Sequence, residues 1–179
     1  MKLKLLILVL ALQTAWILGT TFVQERVLAG GKVVLLETRP VDPRDLLRGD
    51  YVILNYKISD VALSPPAPTN GLPPGTTVYV ALEPRGQFHE VVLASTNRIT
   101  PGEGQVMLKG HSRAWWNSAA RQTVHLEYGL ERYYVREGTG NPRGKITVQA
   151  AVPDSGQAQI KGVFLDGKPY TEAMKEVAR

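Results

Sequence analysis

One stretch constrains this chain more than any other: MKLKLLILVLALQTAWILGTTFV, in which no side chain between Leu5 and Val23 carries a charge. Wound as a helix, that uncharged run is roughly 28 Å long, against a hydrocarbon core of about 30 Å. Its only clearly polar side chains are Gln13, Thr14, Thr20 and Thr21, so it lacks the polar face of a helix on a soluble domain. Residues 1–24 are therefore expected to be a transmembrane anchor or a signal peptide. Val27 to Gly30, VLAG, offers a candidate cleavage site after Ala29. Lys2 and Lys4 precede the run and are expected to hold the N-terminus in the cytoplasm, placing everything after Gln24 outside. The membrane contact is then residues 5–23.

Composition narrows the rest. The chain has no Cys, which excludes disulfides, thiolate nucleophiles, Cys-bound metals and a lipid-modified cysteine. The net charge of +5 is a mild excess spread along the sequence, not a basic stripe, so nucleic acid is not an expected partner. Residues 25–31, with a Gly pair, are expected to link the first segment to a β-rich domain over 32–179. Short runs of strand character recur there, divided by Gly and Pro: KVVLLET, TTVYVALEP, FHEVVLAST, GQVMLKGHS, TVHLEYG, ERYYV, KITVQAAV and QAQIKGVFLDG. Regular short strands with such turns predict a mostly β, antiparallel sandwich or barrel. SPPAPTNGLPPG reads as an exposed loop, and YTEAMKEVAR at the C-terminus is the one helical pattern after the first segment.

RGDYVILNY, Arg48 to Tyr56, opens a further strand. Alternation puts Val52, Leu54, Tyr56 and Ile58 on one apolar face, and Tyr51, Ile53, Asn55 and Lys57 on the other. Leu54 and Tyr56 are thus expected to pack rather than to bind. Gly49 suits a turn with positive φ, and Asp50 is expected to cap that turn or to pair with Arg39, Arg44 or Arg48.

Little in the sequence points to a reaction. His89, His111 and His125 are isolated, so no metal site and no cofactor are expected. No Gly-rich phosphate loop precedes a helix. VDPRDLLRGDYVIL looks locally like a signal-peptidase strand, but Ser59 is the first serine of the chain and lies beyond it, which leaves no Ser–Lys nucleophile. A carboxylate pair drawn from Asp42, Asp45, Asp50, Glu131 and Glu137 is the alternative chemistry, that of a cell-envelope hydrolase working near Asp50. Adjacent Trp115 and Trp116 point apart in any extended segment, one into a core and one toward solvent or a partner.

Gly49, Asp50, Tyr51, Leu54 and Tyr56 in GDYVILNY fill every fixed position of the motif that names the GDYXXLXY family. The sequence resembles that family again at LETRPVDPRDLLRGDY and at YGLERYYVREG, which holds Tyr128, Glu131, Tyr133, Tyr134, Glu137 and Gly138. These are bacterial proteins described as membrane-anchored and otherwise uncharacterised. The resemblance implies a protein of the bacterial cytoplasmic membrane whose main domain is extracytoplasmic (periplasmic), and it transfers no catalytic residue. The expected role is a non-enzymatic interaction or assembly module for a membrane-protein partner, with those motif residues as binding candidates. The two motif stretches are expected to lie close in the fold, with Glu131, Tyr133 and Glu137 on one strand face.

Overall fold

The structure is a computed structural model that describes residues 2–39, 51–64, 72–113, 123–135 and 144–177. It opens with a helix, α1 (Lys2–Gly30), followed by β1 (Lys32–Glu37), β2 (Tyr51–Ile53), β3 (Asp60–Ala62) and β4 (Thr77–Arg85). Then come β5 (Phe88–Ser95), β6 (Val106–Ser112), β7 (Thr123–Glu127) and β8 (Arg132–Tyr134). The chain closes with β9 (Ile146–Val152), β10 (Gln159–Leu165), β11 (Lys168–Pro169) and a second helix, α2 (Tyr170–Val177). Asp42, Asp45, Gly49, Asp50, Trp115, Trp116, Glu137 and Gly138 lie outside the described residues.

α1 is long and apolar enough to cross a membrane, and every side chain from Leu3 to Arg26 is exposed. It does not stop where the apolar run ends. The segment expected to link anchor and domain, 25–31, is helical as far as Gly30. The physical reason is tertiary. The last helical turn docks on the end of β9, and Gly31 makes that approach feasible. A Cβ on Gly31 would sit 2.6 Å from the Val27 carbonyl oxygen and 3.0 Å from the Val152 nitrogen. The Gly31 amide also donates to the Val27 carbonyl at 2.9 Å, closing the helix end.

The rest is mostly β, as its alternation predicts. All described strand pairings are antiparallel and fall into three sheets, ordered β1-β9-β10-β11, β2-β8 and β3-β7-β6-β4-β5. Among the described residues the arrangement is sandwich-like, and the sheets do not close into a barrel. One core serves all three sheets. It takes Val34 and Leu36 from β1, Val148 and Ala150 from β9, Val78, Val80 and Leu82 from β4, Leu108 from β6 and Leu126 from β7. α2 closes one end with Tyr170, Ala173 and Met174.

The two larger sheets meet where β1 approaches β5. β1 is an edge strand, so its outward amides lack a strand partner. His89 of β5 supplies one: its Nδ1 accepts the Leu35 amide proton at 3.2 Å. Burial lowers the pKa of the ring below the usual histidine value, and an Nδ1 that accepts a hydrogen bond must be unprotonated.

Candidate functional site

The two motif stretches do lie side by side. β2 and β8 pair with Tyr51 opposite Tyr134, Val52 opposite Tyr133 and Ile53 opposite Arg132. Past Ile53 the ladder continues irregularly, the Leu54 amide donating to the Glu131 carbonyl at 2.8 Å. On its other edge the motif meets the end of β1, through a bridge between Thr38 and Tyr56 and an Arg39 amide donating to Asn55 at 2.7 Å. The segment is thus inserted between two neighbours, and a turn of 3-10 helix at Lys57–Ser59 ends it. Val52, Leu54, Tyr56 and Ile58 are all buried, as their alternation predicts.

Inside, two tyrosines clasp the stretches reciprocally. Tyr56, from the first, donates its hydroxyl to the Leu130 carbonyl of the second at 2.6 Å. Tyr128, from the second, donates to the Ile58 carbonyl of the first, also at 2.6 Å. Both side chains are sealed from solvent. Burial pushes both phenols far above their usual pKa, and the nearby Glu131 carboxylate pushes the same way. They remain neutral donors at any ordinary pH. The Tyr128 ring lies against Gly110 of β6, where an added Cβ would come within 3.0 Å of the ring. A glycine is what lets that ring seat.

Glu131 is part of this clasp. Its Oε1 accepts the Tyr128 amide proton at 2.5 Å, tying the turn between β7 and β8. Glu131 itself lies just before β8, which begins at Arg132. Tyr133 turns inward and meets the edge of Tyr170, ring centres 5.5 Å apart. Tyr170 Oη is buried without a hydrogen-bond partner among the described residues.

Charged groups ring the clasp. Asp60 meets Arg39 on one oxygen and His125 Nδ1 on the other, the latter at 2.8 Å. Burial raises the Asp60 pKa, but His125 and Arg39 outweigh it and hold the carboxyl below its usual range. Arg39, a sequence candidate for pairing with Asp50, is thus directed to Asp60 and to the Lys57 carbonyl. Glu37 sits between Lys145 and Lys57, each 2.7 Å away, and those two ammonium groups lower its pKa. Each of these carboxylates is already engaged with donors.

Outside, the same ribbon presents a different surface. Tyr51, Ile53, Arg132 and Tyr134 share its outer face. The Tyr51 and Tyr134 rings are 6.0 Å apart, and the Arg132 guanidinium lies over Tyr51 at 5.6 Å. Tyr134 is 71% exposed, whereas Tyr56 is 0% exposed. Alternation already puts Tyr51 and Ile53 on this face; what sequence reading missed was Arg132. The signal was present, because alternation around an inward Tyr133 places Arg132 and Tyr134 together. Two phenols, a guanidinium and an aliphatic side chain therefore share this outer face. Among the described residues no three His, Asp or Glu side chains gather as a metal-binding group.

A family model described as GDYXXLXY protein matches residues 13–163. No curated protein matches the chain, and no solved structure does.

Proposed function

The chain belongs to the GDYXXLXY family, and from that premise we propose that it is a membrane-tethered contact module. In this reading α1 spans the cytoplasmic membrane with Lys2 and Lys4 inside, and the β domain works on the outer side. The outer face of the motif ribbon docks a protein of the same membrane or supports its assembly. The observation that carries the reading is the outer-face cluster of half-buried Tyr51 with exposed Arg132 and Tyr134, on a ribbon whose inner face is pinned by buried tyrosines. Tyr and Arg are the residues most enriched where proteins bind one another. The tether confines this face to a layer near the membrane, which raises the effective concentration of a partner held there.

Two experiments test it. A photo-crosslinking residue at position 134, in native membranes, should give a discrete adduct that the same residue at Lys161 does not. Adducts of equal yield at both positions, or none at 134, contradict the contact face. For the tether, a C-terminal reporter that works only in the cytoplasm should be inactive. An active reporter overturns the orientation, and a mature chain beginning near Gly30 replaces the anchor by a cleaved signal.

A further inference from the structure

A pocket of about 270 Å³ opens beside the junction of α1 and the β domain, remote in the fold from the motif ribbon. Lys32 and Val152, which line it, are the first pair of the β1–β9 ladder, next to Gly31 at the helix end. Arg98 and Asp154 complete its charged wall, while Met107 adds to an apolar floor. Arg98 donates to the Asp154 main-chain oxygen at 3.3 Å, which holds the guanidinium at this wall. From Val23, the end of the uncharged run, to Gly30 the helix rises about 10 Å. The headgroup layer of one leaflet is roughly 5–8 Å deep. If α1 spans the bilayer, the pocket therefore stands at the upper edge of the headgroups, within reach of flexible Lys and Arg side chains.

We propose that this pocket binds a phosphodiester carrying an ammonium group, the headgroup chemistry of an ethanolamine lipid. Lys32 and Arg98 meet the phosphate, Asp154 meets the ammonium, and the apolar floor takes the start of an acyl chain. Lys32 and Arg98 set positive charge against the diester's single negative charge and Asp154 sets negative charge against the ammonium, so each end of this zwitterionic headgroup meets its opposite. The size also decides. At about 270 Å³ the cavity falls just under the range of drug-sized ligand sites and suits a headgroup. The lipid source, unlike the pocket chemistry, rests on the anchor reading of α1.

The test is calorimetric titration of the full chain in detergent micelles. The probes are dihexanoyl phosphatidylethanolamine, dihexanoyl phosphatidylglycerol and water-soluble glycerophosphoethanolamine. The ethanolamine lipid should bind saturably. The double change Lys32→Gln with Arg98→Gln should weaken it at least tenfold with an unchanged melting temperature. Asp154→Asn should weaken the ethanolamine lipid similarly and leave the glycerol lipid unaffected. Absence of saturable binding, or binding indifferent to the double change, overturns the site. Equal affinity for the lipid and for glycerophosphoethanolamine overturns the lipid as the source. Micelles do not require α1 to span a bilayer, so failure here and failure of the topology assay are separate results.

Discussion

Two tyrosine pairs come from the same two short stretches and meet opposite fates. Tyr56 and Tyr128 are sealed in the core, each spending its hydroxyl on a backbone carbonyl of the other stretch. Tyr51 and Tyr134 face out, leaning on each other and on Arg132. The residue type is the same, and what differs is the side of the ribbon. A motif of this kind joins two requirements in one sequence: a clasp that fixes the ribbon, and an outer face that the clasp holds steady. Losing an inner tyrosine should cost stability, and losing an outer one should cost contact.

The largest effect should come from Tyr128→Ala, which empties the seat against Gly110 and orphans the Ile58 carbonyl. A loss of about 3–5 kcal/mol is expected by chemical denaturation. A loss under ~1 kcal/mol would break the inner half of the comparison. Tyr56→Phe keeps the ring and deletes only the hydroxyl, leaving the Leu130 carbonyl buried without its donor. It should destabilise by about 1–3 kcal/mol.

Acid tests how far the inner anchoring extends, at the seam between β1 and β5. The folded-state pKa of His89 is lowered, so the fold favours the neutral ring. Its contribution is fully present above the unfolded histidine value, about 6.5, and is lost as pH falls through the lowered folded value. Between pH 7.5 and 5, the parent should lose more stability than His89→Asn, measured as the difference between their denaturation midpoints. Parallel curves would remove His89 from the seam.

The smallest effects sharpen the contrast. Tyr170 is buried like Tyr56, but its hydroxyl has no partner among the described residues. Tyr170→Phe should therefore change stability by no more than about 0.5 kcal/mol, or raise it slightly. Tyr134→Ala should stay in the same range, as surface substitutions do, while abolishing the adduct of a photo-crosslinking residue placed instead at Ile53 of the same face.

The sequence made some of this legible and hid the rest for physical reasons. Period-two alternation is local, so the buried series Val52, Leu54, Tyr56, Ile58 could be read directly, and so could the mostly antiparallel fold. Alternation does not reveal where a ladder breaks, and the 3-10 turn at Lys57–Ser59 keeps Ile58 buried without a strand. The helix continues to Gly30 against the local signal of a Gly pair, because docking on β9 overrides propensity. The partners of Tyr56 and Tyr128 lie more than seventy residues away or at that distance, at Leu130 and Ile58, and no local pattern encodes them. The same holds for His125, whose partner Asp60 is set by the pairing of β3 with β7.

One paired measurement tests the central claim most directly: urea denaturation of the full chain, in one mild detergent, for two double variants. Tyr56→Phe with Tyr128→Phe removes only the inner hydroxyls, and Tyr51→Ala with Tyr134→Ala removes the outer rings. The inner pair should lose about 2–5 kcal/mol, from two orphaned carbonyls. The outer pair should lose under ~1 kcal/mol although far more atoms are deleted. Equal losses, or a larger loss for the outer pair, would contradict the division of the motif into a structural inside and a contact-making outside.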